Sequence, residues 1–158
     1  MLESELERYL REEIPLSGAM GVRVAALDAD SLTLQAPLAP NINLHETVFG
    51  GSAAALAILA GWALLYVRLQ EARIAARLVI QRSSVEYERP IASDFTVRAW
   101  LESATAWAAF TATLARRGRA RISVIATLEA AGASAGGFTG QFVALAERSA
   151  QPAAGPAA

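Results

Sequence analysis

The chain has no cysteine, and that absence removes disulfides, thiolate metal sites and a cysteine nucleophile together. It has one histidine, too few for a two-histidine metal site. A charge excess of either sign is also missing: the formal net charge is -1, so no basic field is available to attract nucleic acid. The N-terminus, Met1-Leu2-Glu3-Ser4-Glu5, lacks the basic start and apolar stretch of a secretory signal. With the missing cysteine, this points to the cytoplasm. No internal repeat is visible, and no residue cluster implies a metal or a redox cofactor.

Apolar residues, in contrast, make up 54% of the 158, more than one small soluble monomer needs, so a buried subunit interface is expected as well as a core. The length suits one domain, here residues 1-148, followed by a disordered Ala/Pro/Gly tail at 149-158. From Gly50 to Val67 the chain runs GGSAAALAILAGWALLYV without a charge, close to the minimum for a membrane span. The small residues, the Gly-Gly-Ser start and the strand patterns that follow favour a buried central helix of a soluble fold instead, over 50-69.

Around that helix the periodicities give the other elements. Leu6, Leu10 and Ile14 recur every four residues and predict a helix over 3-14, stopped by Pro15. Val22 to Leu27 and Ser31 to Pro37 read as strands, the second with Leu32, Leu34 and Ala36 on one face. Arg77 to Glu88, Phe95 to Glu102, Trp107 to Ala115, Ala120 to Ala130 and Phe138 to Ala146 read as further strands. Arg116 to Arg119 is then a tight basic turn, and 131-137 a Gly/Ala/Ser loop. One buried helix wrapped by a curved antiparallel sheet of five to six strands fits this order, an α+β architecture.

The segment Asn41-Ile42-Asn43-Leu44-His45-Glu46-Thr47-Val48-Phe49-Gly50-Gly51-Ser52 resembles the loop-into-helix segment of hotdog-fold thioesterases. Ser83 to Pro90, followed by Asp94 to Val97, is similar to that family's strand ending in Arg-Pro. Phe49-Gly50-Gly51-Ser52 with Gly61-Trp62 most resembles the YiiD C-terminal domain family. The resemblance implies a hotdog fold and a homodimer, or a dimer of dimers. It also implies an acyl-CoA or acyl-carrier-protein thioester as substrate, with CoA present only as part of it.

The residues can be set against that chemistry. A thioester hydrolase stabilises an oxyanion, and the unpaired amides at a helix start suit this, with Gly50 and Gly51 allowing close approach. The plainer alternative is that two glycines simply let the loop turn into the helix. Relatives carry a carboxylate on or beside the central helix, but Ser52 to Val67 has none, and Phe49 stands at the motif histidine position. Asn43, His45 and Glu46 therefore remain as candidates for orienting the thioester or activating water, each with an ordinary loop role as the alternative. Thr47, Phe49, Ser52, Tyr87 and Arg89 fall around the expected substrate. Ser52 is better read as a helix cap than as a nucleophile, since no base and acid accompany it.

Arg116, Arg117 and Arg119 could bind CoA phosphates, or could be ordinary charge on a turn. Trp62, Trp100 and Trp107 read as packing residues. Hydrolysis of a medium or long acyl thioester is the function expected, and a non-catalytic acyl-binding module the alternative. Hotdog dehydration is disfavoured, because His45 and Glu46 in an extended loop would point to opposite sides.

Overall fold

The computed structural model describes residues 1–147; the tail expected at 149-158 lies outside the described residues. The elements are α1 (Glu3–Glu13), α2 (Pro15–Ala19), β1 (Arg23–Leu27), β2 (Ser31–Ala36), α3 (Gly50–Glu71), β3 (Ala76–Tyr87), β4 (Phe95–Trp100), α4 (Ala104–Arg117), β5 (Arg119–Ala130) and β6 (Ala133–Ala146). The strands form one antiparallel sheet in the order β1-β2-β4-β5-β6-β3.

The core lies between α3 and this sheet. Leu56, Ala57, Ala60, Ala63 and Leu65 of α3 are fully buried, as are Leu32, Leu34, Ala36, Val97 and Ala99 from the alternate positions of β2 and β4. Each buried leucine contributes roughly 1.5–3 kcal/mol, which is why a helix apolar nearly all round is stable here. It is long and apolar enough to cross a membrane, but the sheet takes up its apolar surface. Gly61 marks the closest approach: a Cβ there would sit 3.0 Å from the Phe142 ring and 3.4 Å from Val124.

Three local readings are corrected. Trp107 to Ala115 is not a strand but the body of α4. The Ser103 hydroxyl caps it by accepting from the Ala106 amide at 3.2 Å, and Phe110 and Leu114, one turn apart, form its buried stripe. Gly118, with φ 68, ends it in the left-handed conformation, its N–H donating to Leu114 O at 2.8 Å. Alanine-rich helix propensity outweighs the β preference of the scattered tryptophan, phenylalanine and threonines. Arg116 to Arg119 is therefore a helix end running into β5, and not a hairpin turn. Pro15 does follow the end of α1 at Glu13, as expected, and it also opens α2 at a position where its missing N–H costs nothing.

The supposed loop at 131-137 is mostly strand. Ala131 and Gly132, both with positive φ, make a two-residue hairpin, and β6 begins at Ala133. Gly136 is required within it, because a Cβ would stand 2.2 Å from Glu86 O on β3.

The two edges of the sheet differ. On β1, Glu7 of α1 accepts from the Val24 amide at 3.0 Å and Glu3 accepts from the Leu27 amide at 3.2 Å, so side chains take up outer backbone donors. On β3, twelve residues long, only Leu78 is buried, and the outer edge faces solvent.

Candidate functional site

The loop before α3 is folded on itself by Asn43. Its Oδ1 accepts from the His45 amide at 2.8 Å and the Thr47 amide at 3.3 Å, and its Nδ2 donates to Thr47 Oγ1 at 3.0 Å. The Asn43 amide itself donates to Thr47 O at 2.8 Å, and an isolated bridge pairs Ile42 with Val48. Glu46 sits at φ 60 in the left-handed region, so the segment is a closed turn rather than an extended loop. The side chains of His45 and Glu46 are exposed. Asn43 acts on the loop, where its amide is already engaged.

Asn41 has a role that the sequence reading did not assign. It is 2% exposed, and its Nδ2 donates to Met20 O at 2.9 Å and Pro37 O at 2.8 Å. Its carbonyl accepts from the Phe49 amide at 2.7 Å, which sets the residue that precedes α3. Asn41 Oδ1 is buried without a hydrogen-bond partner among the described residues. A Pro-Asn-x-Asn run was the available signal, but it does not say which asparagine turns inward.

At the start of α3 the capping position is Phe49, and no side chain caps the helix; Ser52, expected to do so, lies at the third helical position. The Ser52 and Ala53 amides both donate to Phe49 O. Among the described residues the Gly50 and Gly51 amides have no hydrogen-bond acceptor. The helix dipole adds positive potential at this point. The exposed Phe49 ring lies over Gly51, where a Cβ would come within 2.3 Å of it. Tyr87, at the end of β3, donates its hydroxyl to Gly50 O at 2.9 Å. Loop, helix start and the end of β3 are thus brought together.

Arg89 belongs to the same end of the sheet, with its Nε donating to Ser134 O at 2.8 Å and its Nη2 to the same oxygen. Arg116, Arg117 and Arg119 do not. Arg119 pairs with Leu145, which pairs with Arg77, whereas Tyr87 pairs with Gly136. The two levels are ten residues of β3 apart, or roughly 30 Å. Within one chain these three arginines are remote from the helix start.

Beside α3 lies an apolar cavity of about 290 Å³. Ala55, Ile58 and Trp62 form its α3 wall, Ile14 and Met20 the wall from the α1–α2 region, and Ile80 of β3 its floor. Trp62 is therefore a lining residue as well as a packing one. At 4- and 3-residue intervals, Gly51, Ala55, Ile58 and Trp62 follow one face of the helix.

The fold that carries this arrangement is shared with known proteins. Residues 3–146 match the family described as "Putative thioesterase (yiiD_Cterm)". A protein of unknown function from Chlorobaculum tepidum is similar in structure with a TM-score of 0.87 and 29% identity, over 92% of this chain and 94% of that one. A "putative thioesterase" from Shewanella oneidensis aligns with a TM-score of 0.80 and 26% identity, over 90% and 96% of the two chains. A thioesterase from Haemophilus influenzae, at 14% identity and a TM-score of 0.77 over 96% and 95%, shares the fold.

Proposed function

The chain belongs to the YiiD C-terminal family of thioesterases and has their hotdog fold, and on that premise we propose that it hydrolyses a medium or long acyl thioester of CoA or of an acyl carrier protein. Water adds to the thioester carbonyl, the C–S bond breaks, and the products are a carboxylic acid and a free thiol. The oxyanion is held by the Gly50 and Gly51 amides, and the acyl chain lies in the slot beside α3. The observation that carries this reading is the pair of amides without an acceptor at an uncapped helix start. Preorganised donors of this kind strengthen as charge develops in the transition state.

Asn43 is a positioning residue that holds the loop, and Glu46, the carboxylate within that loop, activates water, with His45 next to it in sequence. Thr47 and Tyr87 fix the surrounding backbone. The reading involves no metal or redox cofactor, and a cytoplasmic chain that does not span a membrane. It also involves a homodimer joined through β3, because that edge is long and open while β1 is covered. Such pairing would bring a second copy of the chain to the β3 side of each slot.

The absence of any carboxylate on α3 from Ser52 to Val67 favours a second reading, a module that binds acyl thioesters without cleaving them. Thiol release from a panel of acyl-CoAs separates the two, and a protein without cysteine adds no background to a thiol-reactive dye. Hydrolysis above the uncatalysed rate is expected for the wild type. Glu46→Gly suits the left-handed backbone there, so it should keep the loop and lower turnover at least tenfold. Unchanged turnover in that variant removes Glu46 from the mechanism, and tight acyl-CoA binding with no thiol released supports the binding module.

A further inference from the structure

Trp62 lines the slot and, of its α3 residues, lies farthest along the helix from Gly51. Its Nε1–H donates to Leu78 O at 3.1 Å, which ties the indole to β3. Its ring stacks on Tyr66 with centroids 5.0 Å apart and planes 10° apart, and Tyr66 stacks on Tyr9 of α1 at 4.7 Å. The wall is therefore held from the strand and from two helices. Toward Gly51 the same face carries Ile58, Ala55 and then no side chain at all, so the stripe narrows the slot progressively with distance from the helix start.

We propose that Trp62 is the specificity-determining residue that limits acyl chain length, and that the slot takes a saturated chain of medium length. This rests on the acyl-thioester reading above. From Gly51 to Trp62 the helix rises about 16 Å. Leaving room for the indole and the thioester carbonyl gives roughly 11 Å, which is about eight carbons of extended chain at tetrahedral geometry. The cavity volume of about 290 Å³ agrees, since at roughly 30 Å³ per small group, the volume share of a water molecule, it holds about ten. The lining side chains are apolar except for Ser17, whose hydroxyl is spent on Leu10 O at 2.9 Å. Nothing in the slot is placed to receive a polar or charged chain end.

The test is calorimetric titration with non-hydrolysable thioether analogues of acyl-CoA, from four to sixteen carbons, so that binding is read apart from turnover. In the wild type, affinity should rise about fourfold per methylene and stop rising at eight to ten carbons. Trp62→Ala should move that limit to fourteen carbons or beyond. Ala55→Leu, at a half-buried position that lines the slot, should move it to four to six and serves if Trp62→Ala does not fold. An unchanged limit in the folded variants overturns the assignment of Trp62 and leaves the thioesterase reading standing. No binding of any analogue brings down both the acyl reading and this inference.

Discussion

Asn41 and Asn43 stand two residues apart and are held by different parts of the molecule. Asn43 bonds within its own loop, to His45, Thr47 and Val48, so its loss is local. Asn41 reaches out to Met20 and Pro37, and without it one buried and one half-buried carbonyl lose this donor. Asn41→Ala should lower unfolding stability by about 1–3 kcal/mol, seen as a lower urea midpoint; an unchanged midpoint would show that water or neighbouring groups replace the amide. Alternation and spacing identify a loop rich in asparagine but carry no information on which amide faces the interior. The place of the glycines was more legible, because a Gly-Gly pair at the head of an apolar run marks a loop turning into a helix, and Gly50 and Gly51 do open α3. The arginines were least so: their grouping at one turn depended on reading α4 as a strand, and its loss leaves Arg116, Arg117 and Arg119 at the far end of the sheet.

Elements with one dominant signal were read from sequence with little error. The uncharged stretch of α3 and the strict alternation of β2 and β4 each admit one solution once a sheet must cover a helix. α4 was misread because Trp107, Phe110, Thr111 and Thr113 suit a strand individually, while its helical signals are positional: Ser103 at one end, Gly118 at the other, and Phe110 and Leu114 one turn apart. The contact between α1 and α3 was not legible at all, since stacking of Tyr9 on Tyr66 depends on how two helices meet. Burial, followed by the neighbouring Tyr66 phenol and the nearby charge of Glu13, pushes the Tyr9 phenol up from 10.0 to about 12. The folded state therefore retains this proton over a range where the unfolded chain has lost it. Stability linked to Tyr9 is present in full below pH 10 and is lost as pH rises from about 10 toward about 12. Thermal melts across that range should show a steeper fall for the wild type than for Tyr9→Phe; equal slopes would place the alkaline loss elsewhere.

For the whole molecule, the contrast between the two sheet edges decides what can associate with what. Glu3 and Glu7 occupy backbone donors of β1, while the β3 edge faces solvent, so the proposed pairing through β3 would give the chain a valence of one. Units with a single sticky end stop growing at two. A variant lacking residues 1–14 would expose β1 as well, and a unit with two complementary ends has no reason to stop. Its expected product is a ladder of rising mass in light scattering, whereas the intact chain should show a single species of twice the chain mass. A truncated protein that stayed at that mass would mean that β1 does not pair even when bare. On the proposed dimer, the acidic N-terminal helix would be a chain terminator for the sheet, its two glutamates keeping a pairing domain from becoming a polymer.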